Sequence, residues 1–299
     1  MDRIFKKISI FCIVYIDDIL VFSNNRYVHT SHVHKILDLC KENNIILSKK
    51  KIELFKNKID FLGLKIDKGK IELQPHITTK ILSFPNKLEE TKELQKFLGL
   101  LNYGRKFIPN LSTLVRPLYN KLSKNGQRYF NNEDVKLIQR IKEIVKNLGP
   151  IALPIDSYYK IIQTDASSKG WAGILIQKPN KGSPKDLEEI AMYSSDKFSE
   201  LESRKSSTEL ELLGIINTLN NFHIYIQNES FTIRTDCNNI VEFYKKVQKK
   251  NFEKKNSFIS KRWISFLETL TGRGYKAELE HISGKDNTIA DILSRLINI

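Results

Sequence analysis

Cysteine is scarce in these 299 residues: three, at Cys12, Cys40 and Cys237, with neither metal-type spacing nor an even count. That argues against a disulfide framework and fits a reducing compartment. Long apolar runs are also missing. The longest, Ile8 to Ile16, contains Ser9 and falls far short of the roughly 20 residues that cross a bilayer, so no membrane partner is expected. Met1 is followed by a mixed charged segment with no small-residue cleavage site, which excludes a signal-peptide pattern and points to an intracellular protein. Acidic residues are outnumbered, 34 against 49 Lys and Arg, for a net charge of +15. The deficit is uneven: residues 1–150 hold 28 basic against 15 acidic side chains, residues 151–299 hold 21 against 19. A surplus concentrated in one half is the mark of a surface that meets a polyanion.

What is present is enough for two domains of ordinary size, with 40% hydrophobic residues for their cores. The stretch Tyr15-Ile16-Asp17-Asp18-Ile19-Leu20-Val21-Phe22 joins two short apolar runs rich in Ile, Val and Phe. It reads as a β-hairpin with Asp17-Asp18 at its turn, both carboxylates presented at the tip. A helix follows over Tyr27–Asn43, with His29, His32 and His34 near its start; no acid or cysteine joins them, so they read as a solvated face. Ile45–Leu47 reads as a short strand running into the triplet Lys49-Lys50-Lys51, Ile59–Ile66 as a longer one, with a turn at Asp67–Gly69 and a further strand at Ile71–Leu73. Leu88–Phe107 is strongly helical, with Glu89, Glu90 and Glu93 early and Lys96, Arg105 and Lys106 late, the order that the helix dipole favours. A second amphipathic helix, Asn131–Leu148, ends at Gly149-Pro150, which reads as a domain boundary.

Beyond it the texture changes to strands: Tyr159–Asp165, Trp171–Gln177, Ile190–Ser195, Phe231–Asp236 and Lys276–Ile282. Helices are expected at Ser206–Phe222, Ile240–Val247 and Thr288–Leu296. The order βββαβ, then helices, then βα makes a mixed sheet with helices on its faces. Asp165 and Asp236 end strands, Glu209 and Glu211 lie on the first helix, and Asp291 lies on the last. Residues two apart are about 200° apart around a helix, so one glutamate alone can face the sheet. Lys245–Arg262 holds eight basic residues, Lys249 and Lys250 among them, with one acid and with Phe252 and Phe258 between. It reads equally as a solvated linker and as a phosphate-gripping protrusion.

Taken together these motifs resemble reverse transcriptases. Tyr15-Ile16-Asp17-Asp18 resembles their YxDD turn, in which the aspartates hold Mg²⁺. Phe61-Leu62-Gly63 resembles the primer grip, and one of Lys49, Lys50 and Lys51 the lysine near the incoming triphosphate. Leu94–Tyr103, with Phe107-Ile108-Pro109-Asn110 and Arg116-Pro117-Leu118, is similar to the thumb of plant pararetroviruses (caulimovirus family, badnavirus-like) and gypsy-type LTR retrotransposons, which lies across a template–primer duplex; Lys96, Arg105 and Lys106 would serve its phosphates. Thr164-Asp165, Glu211-Leu212-Leu213-Gly214-Ile215, Thr235-Asp236 and Ala290-Asp291 before Leu293-Ser294-Arg295 resemble the RNase H series. There three aspartates and a helix glutamate surround two Mg²⁺ ions, which picks Glu211 and leaves Glu209 facing solvent.

The resemblance implies an α+β truncated palm over residues 1–80 and a helical thumb and connection over 81–150. An α/β RNase H-like domain with a mixed five-stranded sheet is implied over 151–299. It further implies Mg²⁺-dependent hydrolysis of RNA in RNA·DNA hybrids. His281 reads as a strand residue, so the loop histidine of many RNases H is expected to be absent. A third palm aspartate belongs well upstream of Asp17, which has 16 residues before it, and Asp2 cannot serve. Polymerase activity is therefore expected to be lost or to depend on an N-terminal polymerase part from a longer precursor. Two other readings stand beside this one: a non-catalytic nucleic-acid-binding remnant of an integrated element, and an integrase-like nuclease, which strand transfer on DNA ends would reveal.

Overall fold

The computed structural model describes residues 2–88, 90–109, 111–123, 129–227, 229–248, 261–284 and 286–287. They fall into two compact units, residues 1–68 and 69–299.

The first unit opens with α1 (Asp2–Phe5), followed by β1 (Cys12–Tyr15) and β2 (Asp18–Val21). These strands pair antiparallel with Cys12 opposite Val21 and Tyr15 opposite Asp18. The turn is therefore Ile16-Asp17, one residue earlier than expected, and Asp18 is the first residue of β2. Ile16 takes a φ of 54°, because a two-residue hairpin loop matches strand twist only with positive φ. For a β-branched residue that costs on the order of 1–3 kcal/mol.

Helix α2 (Arg26–Glu42) starts where the Asn25 side chain accepts from Val28 N, and it buries Ile36 and Cys40 against Phe5, Phe11 and Cys12. The histidines at its start are not simply solvated. Ser23 Oγ lies 3.1 Å from His29 Nδ1 and 2.7 Å from His32 Nδ1, and Phe11 stacks on His32 at 3.7 Å. Ile45–Leu47 is not a strand: Ile45 N closes the helix end on Cys40 O, and Ile45 and Leu47 pack on the core. Their alternation reflects one-sided burial without a partner strand. The strand expected over 59–66 is a hairpin of β3 (Lys58–Phe61) and β4 (Leu64–Asp67), with Phe61 opposite Leu64. Its turn residues Leu62 and Gly63 have φ of 48° and 71°, the pattern of a type I′ turn.

The second unit begins with β5 (Lys70–Leu73), which pairs antiparallel with β6 (Ile151–Ala152). Four helices lie between them in sequence: α3 (Pro75–Ser83), α4 (Thr91–Tyr103), α5 (Leu111–Leu122) and α6 (Asn132–Lys146). Pro75 occupies the first turn of α3, where its missing N–H costs nothing. The apolar stripe of α4, Leu94, Phe97, Leu98 and Leu101, packs with Ile81, Leu118, Ile138 and Ile141 in one core.

The sheet that follows runs in the order β11-β10-β7-β8-β9. Its strands are β7 (Tyr159–Ala166), β8 (Gly170–Lys178), β9 (Glu189–Lys197), β10 (Ser230–Thr235) and β11 (Lys276–His281). β8 pairs antiparallel with both β7 and β9; β10 runs parallel to both β7 and β11. After β9 come α7 (Glu200–Ser203) and α8 (Ser207–Ile226), and α9 (Asn238–Gln248) and α10 (Lys261–Gly272) separate β10 from β11. Leu212, Ile215, Leu219 and Phe222 of α8 cover Ile162, Leu175, Phe231 and Ile233 of the sheet, with Phe266 and Leu270 of α10. This is the mixed five-stranded sheet with helices that the sequence implies. None of the described helices is long and apolar enough to cross a membrane. The helix expected over 288–296 lies outside the described residues.

Candidate active site

Two parallel strands and one helix bring the chemistry together. Asp165 sits at the end of β7, and Asp236 directly follows β10, the neighbouring strand. Parallel neighbours end on the same side of a sheet, so two carboxylates far apart in sequence arrive side by side. The third comes from α8. That helix begins with a capping box in which Ser206 and Glu209 satisfy each other's ends. This employs Glu209 at the helix start and leaves Glu211, two residues on, to reach the strands. Close approach is possible because the helix has glycine at its contact point. A Cβ on Gly214 would lie 3.2 Å from Ala166 Cβ and 3.3 Å from Trp171 Cβ.

Asp165 and Glu211 are buried and Asp236 half-buried; each offers one oxygen, and these oxygens all lie within 4.8 Å of one another. Glu211 Oε1 accepts from Ala166 N at 3.1 Å, which ties the helix to the strand end beside Asp165. At such a distance two ionised carboxylates repel by roughly 3–4 kcal/mol at an effective dielectric near 20. Burial raises that tension, and a divalent cation relieves it. The donors are all carboxylate oxygens, the set that suits a hard cation such as Mg²⁺, so the residues present fit a divalent metal. Burial, with Glu211 nearby, raises the thiol pKa of Cys237, which keeps that neighbour protonated at neutral pH. His281, at the end of β11 as expected, points its Nε2 at Asp236 O, 3.2 Å away. Asp291, the fourth expected ligand, lies outside the described residues.

The remaining expected residues do not join this cluster. Asp17 and Asp18 are exposed on the first hairpin, and among the described residues no third carboxylate groups with them. Phe61 ends β3 and Leu62-Gly63 form the β3–β4 turn. Lys96 is exposed on α4; Arg105 and Lys106 are exposed just after it, with Arg105 Nη2 donating to Ser112 Oγ at 2.7 Å. Lys249 and Lys250 lie outside the described residues. A cleft of about 680 Å³, lined in part by Lys70, Phe107, Glu143, Glu188 and Tyr193, contains none of the three carboxylates.

A mixed β-sheet that gathers strand-end aspartates and a helix glutamate, in a chain that also carries an Asp-Asp hairpin, defines an RNase H-like domain behind a reverse transcriptase segment. Residues 1–66 match the family model of reverse transcriptase (RNA-dependent DNA polymerase). Residues 157–270 match that of the RNase H-like domain found in reverse transcriptase. The two matches cover separate parts of the chain, a reverse transcriptase segment followed by an RNase H-like domain of the kind found in reverse transcriptase. It is 40% identical over 300 residues to Polyprotein P3 of Commelina yellow mottle virus, covering all of this chain and 15% of that one. It is also 40% identical over 299 residues to the enzymatic polyprotein of Cauliflower mosaic virus (strain D/H), covering all of this chain and 43% of that one. The chain thus spans less than half the length of these relatives. Among solved structures, the foamy viral protease-reverse transcriptase dRH in complex with ds DNA shares the fold at a TM-score of 0.75. Identity there is 23%, over 94% of this chain and 47% of that one.

Proposed function

We propose that this chain hydrolyses the RNA strand of RNA·DNA hybrids with two Mg²⁺ ions, through Asp165, Glu211, Asp236 and Asp291. The observation that carries the proposal is the convergence of the first three: their oxygens lie within 4.8 Å of one another although 71 residues separate Asp165 from Asp236. When bound, such ions supply an activated water and steady the leaving 3′ oxygen. The protein's own part is positional. β7 and β10 hold two carboxylates on one side of the sheet, α8 delivers the third, and Glu211 is fixed by Ala166 N. Preorganised carboxylates lose little freedom when the ions and the scissile phosphate arrive.

Residues 1–80 we assign to the palm, 81–150 to thumb and connection, and 151–299 to RNase H. Phe61, Leu62, Gly63, Lys96, Arg105, Lys106, Lys249 and Lys250 are the proposed contacts to hybrid and template–primer duplex. A structural relative with the same fold was solved in complex with an RNA/DNA hybrid, which agrees with that partner. The hairpin of Asp17 and Asp18 supplies two metal-binding carboxylates, and DNA synthesis would draw a third from an N-terminal polymerase part.

Incubation of a labelled hybrid with the chain and Mg²⁺ tests the proposal. Cleavage is expected, stopped by a chelator and lost in Asp165→Asn. Salt-sensitive binding of the hybrid without cutting would overturn it in favour of a nucleic-acid-binding remnant.

A further inference from the structure

Beside the carboxylates lies a buried amide lock that the proposed reaction does not itself require. Asn287 has no exposed surface at all, and Gln163 and Thr164 are also buried. Gln163 Nε2 donates to Asn287 Oδ1 at 2.9 Å, and Asn287 Nδ2 donates to Thr164 O at 3.2 Å. Thr164 O belongs to the peptide whose nitrogen is that of Asp165. The asparagine comes from a segment 123 residues away, and Ser283 O anchors that segment locally through Asn287 N at 3.0 Å.

We infer that Asn287 is a positioning residue: it fixes the Thr164–Asp165 peptide, and so the direction of the Asp165 carboxylate, with Gln163 setting which way its amide faces. Three physical points support this. A primary amide can donate to one carbonyl and accept from one amide at once, and that is the pairing found here. A fully buried amide is retained against its desolvation cost when both ends are satisfied. On the β10 side, the strand pairing of β7 stops at Gln163 opposite Arg234, so past that point the asparagine adds a hold on the strand edge beside the site. Partners one shell out from metal-binding groups alter metal affinity or activity by about 10–100-fold.

The inference rests on the RNase H reading, and the experiment separates the two. Asn287→Asp keeps the shape and still accepts from Gln163, but cannot donate to Thr164 O. Gln163→Met removes the orienting donor while leaving that bond possible. Each variant of the full chain is compared with the wild type for Mn²⁺ affinity by titration calorimetry, for Mg²⁺-dependent hybrid cleavage and for melting temperature. Asn287→Asp is expected to lose about tenfold or more in Mn²⁺ affinity and in cleavage and, because it buries a carboxylate, to melt lower, with hybrid binding in chelator retained; Gln163→Met is expected to lose less in each. Should Asn287→Asp fail to fold, Gln163→Met carries the test. Variants that fold and keep Mn²⁺ affinity and cleavage within twofold overturn the inference. A wild-type chain that neither binds Mn²⁺ nor cuts overturns the RNase H reading, and this inference with it.

Discussion

At the scale of single residues, a glycine decides how closely α8 can lie on the sheet. A Cβ on Gly173 of β8 would come within 2.2 Å of Thr218 Cγ2, 2.5 Å of its Oγ1 and 2.9 Å of its Cβ. Thr218 cannot swing away, since it is buried, branched at Cβ and donates to Gly214 O at 2.7 Å. Gly173→Ala is therefore expected to destabilise the chain by about 1–3 kcal/mol, read as a lowered urea midpoint, with partial recovery in Gly173→Ala/Thr218→Ala. Gly99, on the exposed side of α4, has no atom within 4 Å of the same construction. There Gly99→Ala is expected to stabilise by about 0.5–1 kcal/mol, because alanine loses less backbone entropy in a helix. Two substitutions of one type and opposite sign test the packing itself.

At the scale of elements, one ion-pair cluster joins strands distant in sequence. Arg234 of β10 donates through both terminal nitrogens to Glu188, at 2.7 and 2.8 Å, and through Nε to Glu280 of β11 at 2.8 Å. These partners raise its pKa against the pull of burial. Glu188 is itself largely buried, with Lys178 3.8 Å away as its other cation. Arg234→Met would strand that carboxylate, and a loss of about 3 kcal/mol or more is expected in chemical unfolding. The paired change Arg234→Met/Glu188→Leu should restore much of it, since neither charge then remains to be desolvated. If the double variant is no better than the single one, the cluster is not the reason for the loss.

Nothing in the sequence announces this cluster, because Arg234, Glu188 and Glu280 follow no short-range spacing. The carboxylate cluster was legible for the opposite reason: each member sits in a local phrase, Thr164-Asp165, Glu211-Leu212-Leu213 or Thr235-Asp236, at the end or start of a strongly patterned element. The strands of the sheet and helices α2, α4, α6 and α8 were legible from periodicity. Misread were places where backbone conformation overrides pattern. Ile16 takes the positive φ, so the turn is Ile16-Asp17 and not the aspartate pair; Leu62-Gly63 breaks an apolar run into a hairpin. Helices α3 and α5 went unread because Pro75 and Pro117 look like breaks, although Pro75 sits in a first turn that tolerates it and α5 keeps Pro117 exposed while its neighbours Leu114, Val115 and Leu118 are buried.

At the scale of the molecule, charge is the organising quantity. The net +15 is concentrated in residues 1–150, while the carboxylate site lies in residues 151–299. A hybrid bound at the acidic cluster would be held largely by phosphate contacts made elsewhere, and each contact releases counterions. The logarithm of hybrid affinity is then expected to fall linearly with the logarithm of salt, by roughly 0.7–0.9 per phosphate contact. Lys49, Lys50 and Lys51 are exposed. If they are among the contacts, replacing all three with glutamine should lower the slope by up to about 2–3 and weaken binding most at low salt. Cleavage of saturating hybrid should be unchanged, because the variant leaves Asp165, Glu211 and Asp236 untouched. An unchanged slope would move the grip to the basic run Lys245–Arg262, and the same titration with Lys249 and Lys250 replaced would then show the loss.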